Sequence, residues 1–135
     1  MSAVQAKKIN IVQAINMALH DAMELDSSVV VLGEDIADRE GGGVFKCTAG
    51  LSTRFGNGRV KTTPITEQAT VGAAVGGALA GLRPVAEIML MNFTTVAMDQ
   101  IVNHAAKLRF MTGGQTHVPL VIRTTTGAGF GTGGQ

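Results

Sequence analysis

The chain has no tryptophan, no tyrosine, one cysteine and three prolines in 135 residues. Without Trp and Tyr, and with five dispersed Phe, it lacks the stacking platforms that nucleic-acid binders use. Neither sign of charge is in excess: 11 Lys and Arg stand against 10 Asp and Glu, for a net charge of +1. That balance excludes the electrostatic footprint expected of a protein bound to nucleic acid or to an anionic membrane. A single cysteine, Cys47, excludes an internal disulfide and points to a reducing compartment. Lys46 adjoins it but no histidine is near in sequence, so Cys47 reads as a small half-buried residue, not a nucleophile. The longest apolar run, Val71 to Leu82, falls short of the roughly 20 residues that span a bilayer. The N-terminal MSAVQAKKIN has no apolar core of signal-peptide length, and the expectation is a cytoplasmic protein without membrane contact.

What is present is enough chain for one domain and one core, at 45% hydrophobic residues. Glycine is the outlier, with 18 residues clustered at 41–43, along 72–81, at 113–114 and from 127 onward. No period links these clusters, so they mark local backbone demands and not a fibrous repeat. A helical stripe over residues 9–25, with Asn10 as its cap, leads to a short buried strand, Val29 to Leu32. A loop from Ile36 to Thr48 and a short helix from Ala49 to Phe55 precede a strand from Arg59 to Thr63. A helix starts near Thr66 or Glu67, and Val85 to Leu90 reads as the next strand. Thr94 to Met111 reads as one amphipathic helix with Val96, Ile101, Ala105, Leu108 and Met111 as its stripe. Val118 to Arg123 is the last strand. Helix and strand alternate, which predicts an α/β fold: a parallel sheet with helices on its faces.

Several residues carry possible chemistry. Glu34 and Asp35 follow the first strand, at the sheet edge where functional loops gather; a solvated turn is the equal alternative. Glu67 stands alone before a helix of Ala, Gly, Val and Leu. The helix dipole lowers a carboxyl pKa there, while burial beside Ile65 raises it and suits the group to hold or donate a proton. The alternative is a helix cap shared with Thr66. The helix itself contains Gly72-x-x-x-Gly76 and Gly77-x-x-x-Gly81. Each interior glycine costs about 0.8–1 kcal/mol relative to Ala, which calls for a compensating close approach. A subunit interface is expected, with burial in the domain's own core as the alternative. His20, His104 and His117 are too far apart to build a metal site by spacing, and no serine has a nucleophile-elbow context, which argues against hydrolase chemistry. Gly129-x-Gly131-x-x-Gly134 matches a dinucleotide fingerprint only formally, because no helix follows it; a loop needing positive φ is the better account.

An ordered set of short runs then reaches a known family. Leu32-Gly33-Glu34-Asp35, Gly43-Val44-Phe45, Gly50-Leu51, Phe55-Gly56 and Arg59-Val60 come first. Thr63-Pro64-Ile65 with Glu67, Gly81 to Val85 with Glu87, Asp99-Gln100-Ile101 with Asn103, and Ala105-Ala106-Lys107 follow. From Ile9 onward the chain resembles the beta subunit of the thiamine-diphosphate-dependent E1 component of 2-oxoacid dehydrogenase complexes. Pyruvate, branched-chain and acetoin dehydrogenases belong to that family.

The resemblance implies a partial transketolase-type pyrimidine-binding domain over residues 1–135, incomplete at its C-terminus, with a site completed by an E1 alpha subunit that holds the diphosphate and magnesium. A second beta subunit and a lipoyl-bearing E2 component are the other implied partners. Glu67 matches the glutamate that hydrogen-bonds N1′ of the aminopyrimidine and favours the tautomer needed for oxidative decarboxylation of a 2-oxoacid, pyruvate by default. Met89 and Phe93 match positions that pack around the same ring, and the main-chain carbonyl of Leu120 matches a potassium ligand of some members. The glycine helix matches an element packed at subunit contacts. Family chains continue where this one stops at Gln135, and their C-terminal domain is missing; Thr62 replaces the aspartate usually found before Thr-Pro-Ile. The expectation is a truncated or split form that carries half a cofactor site without full turnover. Acetoin cleavage on the same fold, or a non-catalytic assembly module pairing through the glycine helix, are the alternatives.

Overall fold

The computed structural model describes residues 8–127 and Gly131. Helix α1 (Ile11–Leu25) opens with a capping box: the Gln13 amide donates to the Asn10 side chain, and the Asn10 amide donates back to the Gln13 side chain. Its stripe buries Leu19 and Met23. The chain then turns at Asp26, whose carboxylate accepts from both the amide and the hydroxyl of Ser28. Strand β1 (Val29–Glu34) is buried at five successive residues, the pattern of a strand covered on both faces.

Strands β2 (Val60–Thr63), β3 (Arg83–Leu90) and β4 (Val121–Thr125) complete a four-stranded, all-parallel sheet in the order β2-β1-β3-β4. Parallel neighbours need crossover connections, and helix α3 (Glu67–Leu79) makes the one between β2 and β3. On one face, Leu19, Met23 and Leu51 pack on Val29, Val31 and Val60, with Leu51 contributed by helix α2 (Leu51–Phe55). On the other, Ala74 of α3 meets Val30, Leu32 and Ala86, while Val71 and Val75 pack with Ile88 and Ala97. The expected α/β architecture is the observed one.

The loop between β1 and α2 is tied by Asp38. Its carboxylate accepts from the amides of Gly50 and Thr53 and from the hydroxyls of Ser52 and Thr53. Burial pushes its pKa up, but the bonds from Thr53, Gly50 and Ser52 outweigh that and hold it down to about 2. Gly42, at φ +76°, lies so close to the returning chain that a Cβ there would sit 2.5 Å from the Ala49 Cα. Asp38→Ala should cost about 1–3 kcal/mol in urea unfolding at pH 7, because several donors lose their acceptor. With a folded pKa below the ordinary 3.8, the Asp38 contribution is complete above that value and is lost as pH falls toward 2. The variant should therefore show the shallower acid limb.

Two expectations are corrected. Residues Thr94 to Met111 are not a single α-helix: a 3-10 turn (Met91–Thr95), a π-helical segment (Gln100–Ala105) and a short helix α4 (Leu108–Met111) follow one another. The Ala106 amide reaches back five residues to the Ile101 carbonyl, and Asp99 accepts from the side chains of Gln100 and Asn103 at the wide turn. The wider turn brings Ala97, Ile101, Ala105 and Leu108 onto one inner side. Val96 and Met111, expected in that stripe, are 53% and 68% exposed. Likewise β4 starts at Val121 and not Val118, since Pro119 has no amide to donate and the Leu120 amide is spent on the Val118 carbonyl. Among the described residues no helix is long and apolar enough to cross a membrane.

Candidate functional site

The carboxyl ends of the strands gather the residues with chemical potential. β1 ends at Glu34, paired in register with Thr63 of β2, and Asp35 follows in a left-handed conformation at φ 53°. The chain leaves β2 through Pro64 and an 84% exposed Ile65, so Ile65 does not bury Glu67 as its hydrophobicity suggested. Thr66, the residue before α3, makes no side-chain capping bond; its carbonyl accepts from the Thr70 hydroxyl, which also pairs with Thr63. Glu67, the first residue of α3, is half-buried and is not part of a capping box.

Its neighbour is Glu34. Burial pushes the Glu34 pKa up, the charge of Glu67 adds to that, the Thr66 amide opposes it, and Asp35 raises it further. Glu34 Oε1 is buried and has no hydrogen-bond partner among the described residues. The charge of Glu67 thus disfavours ionisation of Glu34, and the orphaned Glu34 oxygen is left to seek a donor. The proximity of Glu34 to Glu67 was not anticipated, although the β1–β2 register would have signalled it: Glu34 stands opposite Thr63, four residues before Glu67.

Met89 and Phe93 reach the same edge from β3. Pairing with β4 runs Glu87 with Arg123 and Ile88 with Thr124, then resumes at Leu90 with Thr125, so Met89 is the extra residue of a β-bulge. Phe93, in the turn after β3, packs against the cluster of Val71, Val75, Ile88 and Ala97. Both are half-buried. The carboxyl ends of these strands thus hold Glu67, the unpartnered Glu34 Oε1 and two half-buried apolar side chains, and an aminopyrimidine, with a polar edge and apolar faces, is a group of matching chemistry.

The remaining expectations sort as follows. On α3 the glycines divide: a Cβ at Gly72 would lie 3.1 Å from the Gln100 side chain, and one at Gly77 would touch Leu82 and Pro84 of the same chain. Only a Cβ at Gly76 would meet nothing within 4 Å. Ala69, Ala73, Gly76 and Ala80 share the exposed face. Leu120 is partly buried against both clusters on the α3 face. Cys47 is 3% exposed, and burial pushes its thiol pKa up; Lys46 turns away to donate to the Gly41 carbonyl. His20 approaches the Ala49 carbonyl and His104 the Asp99 carbonyl, and among the described residues no group of three metal-capable side chains forms. The Gly129 to Gly134 fingerprint lies outside the described residues except for Gly131, whose φ is +68°.

Residues 7–134 match the family model for the transketolase pyrimidine binding domain. The chain is 47% identical over 133 residues to the acetoin:2,6-dichlorophenolindophenol oxidoreductase subunit beta of Cupriavidus necator, covering 93% of this chain and 39% of that protein. It is 44% identical over 133 residues to the mitochondrial pyruvate dehydrogenase E1 component subunit beta of Drosophila melanogaster, with 98% and 36% covered. Identity is also 44% over 118 residues to the 2-oxoisovalerate dehydrogenase subunit beta of Bacillus subtilis, with 87% and 36% covered. The chain therefore spans less than two-fifths of the length of these relatives. A match over nearly every residue, on an all-parallel sheet, shows that the chain belongs to the transketolase pyrimidine-binding domain family.

Proposed function

We propose that the chain supplies the aminopyrimidine-binding half of a thiamine-diphosphate-dependent E1 component, as part of its beta subunit. The observation that carries this reading is the half-buried Glu67 at the start of α3, beside a proton-favouring Glu34 and on the same edge as Met89 and Phe93. When bound, thiamine diphosphate supplies the electron sink for decarboxylating a 2-oxoacid. Glu67 would offer its carboxyl to N1′ of the ring as a hydrogen-bond partner and so control its tautomer. Met89 and Phe93 exclude water from the ring faces. The diphosphate and magnesium belong to an alpha subunit, and the acyl product passes to a lipoyl group of an E2 component. The Leu120 carbonyl is a candidate potassium ligand, and one carbonyl alone does not make a site. Pyruvate is the default substrate. The single buried Cys47 fits a cytoplasmic location.

The test is a calorimetric titration of thiamine diphosphate with magnesium into the chain alone and into its mixture with an E1 alpha subunit. Binding only in the mixture is expected. No binding to either, with no complex between the subunits, would overturn the reading. Acetoin is the second substrate reading, favoured by the acetoin-linked relative, and parallel rate measurements with pyruvate and acetoin separate the two.

An assembly module that only pairs is the other reading, and the outward-facing Gly76 is the observation that favours it. Both readings place a partner on α3. Gly76→Leu should weaken association at least tenfold, about 1.4 kcal/mol, measured by analytical ultracentrifugation. Unchanged association would remove α3 from the interface.

A further inference from the structure

Glu87 and Arg123 form a buried ion pair that the proposed chemistry does not use. Arg123 Nη2 donates to Glu87 Oε2 at 2.6 Å, with side chains only 14% and 5% exposed. They are register partners on adjacent strands, one step before the last regular pair and the Met89 bulge. Glu87 is held from both sides. A Cβ on Gly33 of β1 would lie 2.9 Å from the Glu87 Cβ and carbonyl oxygen, and one on Gly43 would lie 3.5 Å from Glu87 Oε1. Arg123 Nε is buried without a hydrogen-bond partner among the described residues.

Such a pair is an uneconomical way to stabilise a sheet. Desolvating two charges offsets most of their attraction, and well-packed apolar residues commonly do as well or better. In some folds a unique buried polar or charged group instead specifies register. β4 needs that help. Val121 is 57% exposed, the next four residues are all half-buried, and within β4 only Ile122 packs against a core cluster, so the apolar pattern alone aligns this strand weakly. A slip of one residue would turn every β4 side chain to the other face and move the bulge away from Met89.

We infer that Glu87 and Arg123 are positioning residues whose pairing fixes the β3–β4 register and thereby presents Met89 at the sheet edge. The cofactor consequence rests on the function proposed above; the register itself does not. Two neutral pairs test it in the full chain, Glu87→Leu with Arg123→Met and Glu87→Gln with Arg123→Gln, alongside the charge-keeping Arg123→Lys. NMR amide contacts between Ile88–Leu90 and Thr124–Thr125 report the register directly. Expected is a loss of at least half the native contact intensity, or a second set of contacts, in each neutral pair that folds, and retention in Arg123→Lys. Assembled with an alpha subunit, the neutral pairs should bind thiamine diphosphate with magnesium at least tenfold more weakly. A neutral pair with one native set of contacts overturns the inference. So does failure of both neutral pairs to fold while Arg123→Lys folds, because the pair would then be a stability element. Absence of cofactor binding by the unmodified assembly would defeat the proposed function instead and leave the register result standing.

Discussion

Glu67→Gln is expected to slow decarboxylation by an assembled E1 by about 10²- to 10⁴-fold, the range for losing a positioned proton-transfer group. The amide keeps the size of the side chain and its place at the start of α3. It cannot hold the exchangeable proton that a carboxyl shares with the ring nitrogen. Because Glu67 is half-buried and takes no part in a capping box, the change should leave the fold and subunit pairing intact. Steady-state rates of the assembled variant, compared with its sedimentation profile, separate chemistry from assembly. Ordinary rates in a normal assembly would refute the role given to Glu67.

The second large effect is on stability. Arg123→Met leaves Glu87 buried without its partner, and breaking a buried pair from one side costs about 3–5 kcal/mol. The loss should depend on pH in a defined direction. Burial pushes the Glu87 pKa above its ordinary 4.5, and Arg123 pulls it back. A carboxyl with a raised folded value binds its proton more tightly in the native state. Its favourable contribution is therefore present below 4.5 and is lost as pH rises through the folded value. Removing Arg123 removes the downward pull, so the loss grows. Urea unfolding should find Arg123→Met close to the unmodified protein near pH 4 and far below it at pH 8. Adding Glu87→Leu should restore most of the difference at pH 8. A deficit independent of pH would mean that the pair acts through packing alone.

Most of the fold was legible because its signals are local. Val29 to Leu32 is a continuous apolar run bounded by turn residues, and Asn10 with Gln13 announces the start of α1. The start of α3 at Glu67 was legible as well, as a lone carboxylate before a glycine-rich helix. The segment after Phe93 was not, because a period of 3.6 cannot describe a chain that widens at Asp99; Val96 and Ile101, five residues apart, were the available warning. Glu34 as the neighbour of Glu67 and Arg123 as the partner of Glu87 depend on which strands lie side by side. That order, β2-β1-β3-β4, is carried by crossovers and leaves no mark within any short window of sequence. The same holds for α3, where glycine spacing alone did not tell which glycines face the chain's own Gln100, Leu82 and Pro84 and which faces outward.

The position of β1 at the centre of the sheet also constrains how this protein is made. Val29 to Leu32 pair with Arg83 to Ala86, and Val31 and Leu32 also with Val60 and Lys61, all synthesised later. At about 5–20 residues per second, the nascent chain carries an unpaired, fully apolar strand for several seconds before its second neighbour emerges. During that interval Val29-Val30-Val31-Leu32 is a sticky segment of high β-propensity with both edges open. Yield during biosynthesis should thus depend on elongation rate between residues 33 and 90 and on chaperones that cover this strand, more than on the final stability of the folded domain.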